Sequence, residues 1–184
     1  MNRITFAIAT YLFLALQNGL GPLWTVGGVT PSLILILGVF VGVSAPRTTV
    51  MWSMLILGVL LDLQPGPLRH SGVILGPHAV GYLIGGYSLL QLRGLLFRES
   101  VITIVLLVCA VGGFAAMVET LIYALRAMPW LAADPLPWSP MQQLGHRLTE
   151  LLYSALVAIP FGLMLQASRR LWGFAGRSKS ERVF

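Results

Sequence analysis

Charged residues are scarce in this chain. They make up 10% of its 184 residues, and the six acidic residues face 12 lysines and arginines. In soluble domains about a quarter of the residues are charged. With 57% hydrophobic residues and a mean hydropathy of +0.83, the composition excludes an ordinary soluble domain and predicts an integral membrane protein.

The residues that usually carry catalysis are also few. Cys109 is the single cysteine, so it has neither an internal disulfide partner nor metal-ligand companions. The three histidines, His70, His78 and His146, form no zinc-protease motif, and no Gly-x-Ser-x-Gly sequence or phosphate-binding loop occurs. We therefore expect no enzyme, no cofactor and no metal site.

The basic residues are not interleaved with aromatic residues, as they would be on a nucleic-acid-binding surface. They cluster at the ends of apolar segments, which is typical of topology signals and of contact with anionic lipid headgroups. We expect membrane lipids as partners and no nucleic acid.

Long apolar runs fill most of the remaining chain. A spanning helix needs about 20 apolar residues, and six segments approach or exceed that length. They cover approximately 4–20, 29–45, 48–63, 72–92, 101–125 and 148–171. The prediction is an all-α fold, a polytopic six-helix transmembrane bundle forming a single domain over residues 1–171, with a basic tail over 172–184. The first segment resembles a secretory signal but lacks a clear small-x-small cleavage site, which favours a retained helix.

Positive charge predicts the orientation of this bundle. With the N-terminus inside and six crossings, the cytoplasmic pieces hold nine basic residues: Arg3, Arg47, Arg93, Arg98, Arg169, Arg170, Arg177, Lys179 and Arg182. The outer pieces hold three: Arg69, Arg126 and Arg147. Because cytoplasmic loops are enriched in Lys and Arg, this distribution predicts both termini inside (N-in, C-in). The outer segment 126–147 is expected to be a loop lying against the membrane surface.

Glycines at small-xxx-small spacing indicate close helix packing, because residues four apart share one helix face. The candidates are Gly38, Gly42, Gly72, Gly76, Gly81 and Gly85. Two interpretations stay open. The glycines pack this chain's own helices together, or they receive the helix of a partner protein.

Three ionisable residues fall within or beside apolar segments, where a charge is costly unless it is satisfied. Asp62 follows the third segment and is expected either to cap the next loop, by accepting backbone N–H groups near Gly66 or by pairing with Arg69, or to organise a partner-binding or ligand-binding hairpin. His78 and Glu119 are candidates for interior polar contacts, with Glu119 expected to be neutral or hydrogen-bonded to another helix.

One region of 30 residues carries a family resemblance. Gly58-Val-Leu-Leu-Asp62, followed by Leu75-Gly76-Pro-His-Ala-Val-Gly-Tyr82 and by Gly86-Tyr87, resembles the rod shape-determining protein MreD family. That family shows an apolar run ending in Gly-x-x-x-Asp, then Leu-Gly-x-x-Ala-Leu at the start of the next helix. The chain departs from the pattern by additional residues near 67–74 and by Val80 in place of leucine.

The resemblance implies a non-enzymatic scaffold of the bacterial cell-elongation machinery (elongasome) in the cytoplasmic (inner) membrane. It also implies contact with MreC and, indirectly, with MreB, RodA and its penicillin-binding transpeptidase, which act in cell shape and peptidoglycan synthesis. The implied fold is similar to the S-components of energy-coupling transporters. If the glycine-lined faces on segments two and four receive a partner helix, the resemblance implies that this helix belongs to MreC.

Two other classes stay open. A transporter S-component would bind a small molecule in an outward cavity lined by Trp130, Trp138, Glu119 or His78. An intramembrane enzyme would lose activity in His78→Ala or Glu119→Ala.

Overall fold

The computed structural model describes residues 2–64, 76–94, 101–126, 128 and 140–173. The described part of the chain is helical, with six α-helices and no strand. They are α1 (Arg3–Trp24), α2 (Leu33–Ser44), α3 (Arg47–Asp62), α4 (Pro77–Leu92), α5 (Val101–Arg126) and α6 (Pro140–Ala167), followed by a 3₁₀ turn (Ser168–Trp172). The predicted all-α class is confirmed.

Helix α2 forms the centre of the bundle. Every residue from Leu33 to Val43 is buried, and α2 contacts each of the other five helices. An apolar sequence without a polar side has no face that prefers water, so it suits a position enclosed by protein or lipid. The helices α3 to α6 pack side by side in chain order and supply most of that cover.

The outer surface of the bundle is apolar. Exposed side chains of α6 recur every three or four residues and so form one helix face: Leu148, Leu152, Leu156, Ile159 and Leu163. Helices α1, α5 and α6 are each long and apolar enough to cross a membrane. Such contiguous apolar surface is rare on soluble proteins, and its match to lipid identifies this as a membrane protein.

The helix bounds depart from the sequence prediction mainly at α6. This helix begins at Pro140 rather than near 148, so residues 140–147 belong to a helix and the predicted outer loop 126–147 is too long. Proline is favoured in the first helical turn, where its missing N–H costs nothing. Helix α2 begins at Leu33, after a turn in which Gly27 and Gly28 have positive φ.

The two ends of the described chain meet. The Asn2 backbone N–H donates to the Trp172 carbonyl at 2.9 Å, and the Trp172 ring packs edge-on against Phe40 at 5.2 Å between centroids. Trp172 is 2% exposed, which corrects its assignment to the tail over 172–184. The remainder of that tail, 174–184, lies outside the described residues.

Candidate functional site

Asp62 caps helix α4 from the end of α3. Its Oδ2 accepts the backbone N–H groups of Gly76 at 2.8 Å and Ala79 at 3.1 Å, and its Oδ1 accepts that of His78 at 3.1 Å. The first amides of a helix lack partners within the helix and carry its positive dipole end, so a carboxylate is well placed there. Asp62 is 0% exposed, and these bonds satisfy a charge that burial would otherwise penalise. Asp62 was predicted to cap the following loop near Gly66 or to pair with Arg69, and both of these residues lie outside the described part of the chain. The N–H groups that it accepts belong instead to the start of α4.

Two glycines make this cap possible. A Cβ built on Gly58, one turn before Asp62, would lie 2.6 Å from the Ala79 Cα and 2.7 Å from the His78 carbonyl oxygen. Only a residue without a side chain therefore lets α3 approach the start of α4 closely enough for the carboxylate to reach its amides. Gly76 precedes α4 with φ +128°, a conformation that side chains disfavour.

His78 extends the contact from α3 to α5. Its Nδ1 lies 2.9 Å from Asp62 Oδ1, and its Nε2 lies 3.7 Å from Glu119 Oε2. Both ring nitrogens therefore face carboxylate oxygens.

Arg147 completes the chain of charges on α6. Its Nη1 donates to Glu119 Oε2, and its guanidinium lies 5.9 Å from the centre of the Tyr123 ring. The order is Asp62, His78, Glu119 and Arg147, one residue from each of four consecutive helices. We call this set the charged chain. Glu119 is buried, whereas His78 and Arg147 are 24% and 18% exposed.

The charged chain sets the buried Glu119 carboxyl group against the Arg147 guanidinium. Removing one member of a buried ion pair leaves an uncompensated charge in a medium of low dielectric constant. Glu119 was expected to be neutral or to hydrogen-bond another helix, and it accepts a hydrogen bond from Arg147 of α6. Among the described residues, no group of three His, Cys, Asp or Glu side chains is placed to hold a metal ion.

A second polar contact ties α2 to α4 and α6. The Ser32 backbone N–H donates to Ser154 Oγ at 2.8 Å, and Ser32 Oγ lies 3.4 Å from Tyr82 Oη. Ser154 in turn donates to the Glu150 carbonyl at 2.7 Å. These hydroxyl groups provide hydrogen-bond partners for Ser32, the N-cap residue of α2. The start of α2 lies at the same end of the bundle as the start of α4.

The candidate packing glycines face the chain's own helices. A Cβ on Gly38 would meet Met54 Sδ at 3.1 Å, and one on Gly42 would meet the Leu89 side chain at 2.7 Å. On α4, a Cβ on Gly81 would lie 3.0 Å from the Ala115 carbonyl, and one on Gly85 would lie 2.9 Å from the Val111 side chain.

These contacts correct the partner-docking interpretation of segments two and four. The four glycines, Gly38, Gly42, Gly81 and Gly85, are buried, so their faces leave no room for a partner helix. They act as internal packing positions. Gly76 serves the turn before α4, and Gly72 lies outside the described residues.

Arg147 is the site residue that the sequence pattern misses. Its polar neighbourhood predicts a loop, and its partner Glu119 lies 28 positions away. The available signal was the proline at 140 followed by Leu144, Leu148 and Leu152, a four-residue apolar spacing that extends the helix back past Arg147.

Comparisons with protein-family models, with curated proteins and with solved structures found no match to this chain.

Proposed function

We propose that this chain is a non-enzymatic scaffold of the bacterial cell-elongation complex, as its resemblance to the MreD family implies. One observation carries the proposal. The residues of the resembling pattern, Gly58, Asp62, Gly76 and Ala79, meet at a single junction in which each has a definite task. A shared pattern of packing and capping residues is what related helical hairpins would preserve.

In this proposal the chain crosses the bacterial inner membrane six times, with both termini in the cytoplasm. The meeting of Asn2 with Trp172 supports an even number of crossings, because both ends then lie on one side. The basic residues of that end, among them Arg3, Arg47 and Arg169, agree with the positive-inside rule.

The orientation is testable with single cysteines in a Cys109→Ser background. Gly145 and Leu171 are exposed, and a Cβ at Gly145 meets nothing within 4 Å. In intact cells a membrane-impermeant thiol reagent should label Gly145→Cys and should reach Leu171→Cys only after permeabilisation. The reverse pattern, or labelling of both in intact cells, would contradict it.

The proposed scaffold works by binding MreC within the membrane and so joins indirectly to MreB, RodA and its penicillin-binding transpeptidase. Because Gly81 and Gly85 pack against α5, the MreC contact belongs to an outward-facing surface of the bundle. Leucine at these two glycines would disturb the fold and is unsuitable as an interface test.

Depletion of the chain in its own bacterium tests the function directly. We expect rods to widen and round up, and a tagged chain to co-purify with MreC from solubilised membranes. Unchanged cell width after depletion, together with absence of MreC from the purified material, would overturn the proposal.

The alternative, a small-molecule-binding S-component, is favoured by one observation. His78 and Glu119, two of the side chains expected to line an outward cavity, are adjacent at one end of the bundle. Trp130 and Trp138 lie outside the described residues. A small molecule retained through purification, with tryptophan fluorescence that responds to its removal, would favour this class over the scaffold.

A further inference from the structure

An exposed cation–aromatic pair lies at the end of the bundle opposite the charged chain. Arg47, the first residue of α3, places its guanidinium carbon 5.9 Å from the centre of the Tyr87 ring on α4. Both side chains are exposed, Tyr87 to 48%. Within the described residues Arg47 makes no ion pair, since the three described carboxylates, Asp62, Glu119 and Glu150, belong to the other end.

Arg93 fixes the backbone that presents Arg47. From the end of α4, its Nη1 donates to the Gly42 carbonyl at 3.2 Å and to the Ala45 carbonyl at 2.7 Å. The turn between α2 and α3 is thereby bound to α4. Arg47 and Tyr87 therefore project from two helices whose ends are held together.

An apolar surface continues from this pair along α4. Val80, Ile84 and Tyr87 share one face of this helix, and each is exposed. The surface is thus cationic and aromatic at one end and apolar along α4, which is the polarity profile of a phospholipid.

We propose that this surface binds one phospholipid with an anionic headgroup. The lipid phosphate pairs with Arg47 beside the Tyr87 ring, and an acyl chain lies along Ile84 and Val80. The exposed Thr48 and the first amides of α3, whose N-cap Pro46 offers no side-chain hydrogen bond, add donors at the same place. A basic residue near the membrane surface attracts anionic lipid, and tyrosine favours the headgroup layer.

The charge of this end decides between headgroup classes. A zwitterionic headgroup carries its own cation, which Arg47 and the fixed Arg93 would repel. An anionic headgroup, such as phosphatidylglycerol, brings no such cation. The inference requires only that the chain lies in a membrane, so it stands independently of the proposed scaffold role.

Native mass spectrometry of the full chain in detergent, with added phosphatidylglycerol or phosphatidylcholine, tests the proposal. Arg47→Gln should lower occupancy of phosphatidylglycerol several-fold, and Tyr87→Leu should lower it as well, while Tyr87→Phe keeps the ring and the occupancy. The matched control is Arg3→Gln, which removes an exposed arginine from the first residue of α1 and should leave occupancy unchanged. Thermal unfolding should be the same for all four variants, since the side chains are exposed.

Three results would overturn the inference. One is an equal loss in Arg47→Gln and Arg3→Gln, which would mean that net charge rather than this surface attracts the lipid. Another is equal binding of phosphatidylcholine. The third is displacement of the lipid by millimolar inorganic phosphate, which would identify a free anion rather than a lipid as the occupant.

Discussion

Gly58 and Ala79 bring the backbones of α3 and α4 into direct contact. A Cβ on Gly58 would lie only 2.6 Å from the Ala79 Cα, so the two helices can approach this closely only because Gly58 has no side chain. The cap of α4 by Asp62 depends on this approach, because the carboxylate sits one turn further along the same helix. The contact of two small residues therefore sets the geometry of the charged chain.

Gly58→Ala should destabilise the protein by about 1–3 kcal/mol, the usual cost of an added methyl group in a filled space. The neighbour is backbone and cannot rotate away. Thermal unfolding in detergent measures the loss. Gly19→Ala is the control, since a Cβ there meets nothing within 4 Å and alanine favours a helix. Equal melting temperatures for the two variants would contradict the close approach.

Asp62→Asn should weaken the start of α4. The amide keeps one acceptor oxygen and turns an NH₂ group toward backbone donors, so either the N–H groups of Gly76 and Ala79 or the N–H of His78 lose their acceptor. Hydrogen bonds to charged groups contribute about 1.5–3 kcal/mol. Hydrogen exchange at residues 76–79 should accelerate more than exchange in α5. Unchanged exchange there would show that Asp62 does not hold the amides.

Glu119 and Arg147 should show strong coupling in a double-mutant cycle. Arg147→Met leaves Glu119 buried without its cation, at a cost of about 3–5 kcal/mol. Adding Glu119→Gln removes the stranded charge and should recover part of the lost stability. Unfolding measurements on both single variants and the double variant give the coupling. Strict additivity would mean that the two residues do not interact.

Trp172→Ala should destabilise the junction of the two chain ends by about 3–5 kcal/mol, the cost of truncating a buried aromatic residue. The loss exposes Phe40 on the central helix. Leu171→Ala provides the control from the adjacent position, because Leu171 is 70% exposed and should change the melting temperature little. A similar response of both variants would place Trp172 outside the core.

Hydropathy predicts much of the helical framework. The bounds of α3 and α5 differ from the predicted 48–63 and 101–125 by one residue at most, because the change from apolar to polar residues is abrupt there. The start of α6 is harder to predict. Residues 140–147 are polar enough for a loop. The proline at 140 and the four-residue leucine spacing are weak local helix signals, and the contact of Arg147 with Glu119 ties this first part of α6 to α5.

The sequence predicts most of the residues of the charged chain but not which of them contact one another. Asp62, His78 and Glu119 stand out because ionisable residues are rare in an apolar sequence. Which of them pair depends on the distances between helices, and no local sequence pattern predicts those distances. The glycine spacing likewise predicts close packing, but whether Gly81 faces α5 or a foreign helix depends on the arrangement of the whole bundle.

The contact between Phe40 and Trp172 also has a consequence for biosynthesis. The ribosome releases α2 early, yet the tryptophan that covers its Phe40 ring is among the last residues of the bundle to be made. The central helix must therefore wait in an incompletely covered state, beside lipid or a membrane insertase, until residue 172 has been made. A nascent chain that stops before residue 172 should remain protease-sensitive, whereas release of the full chain should bring resistance in one step.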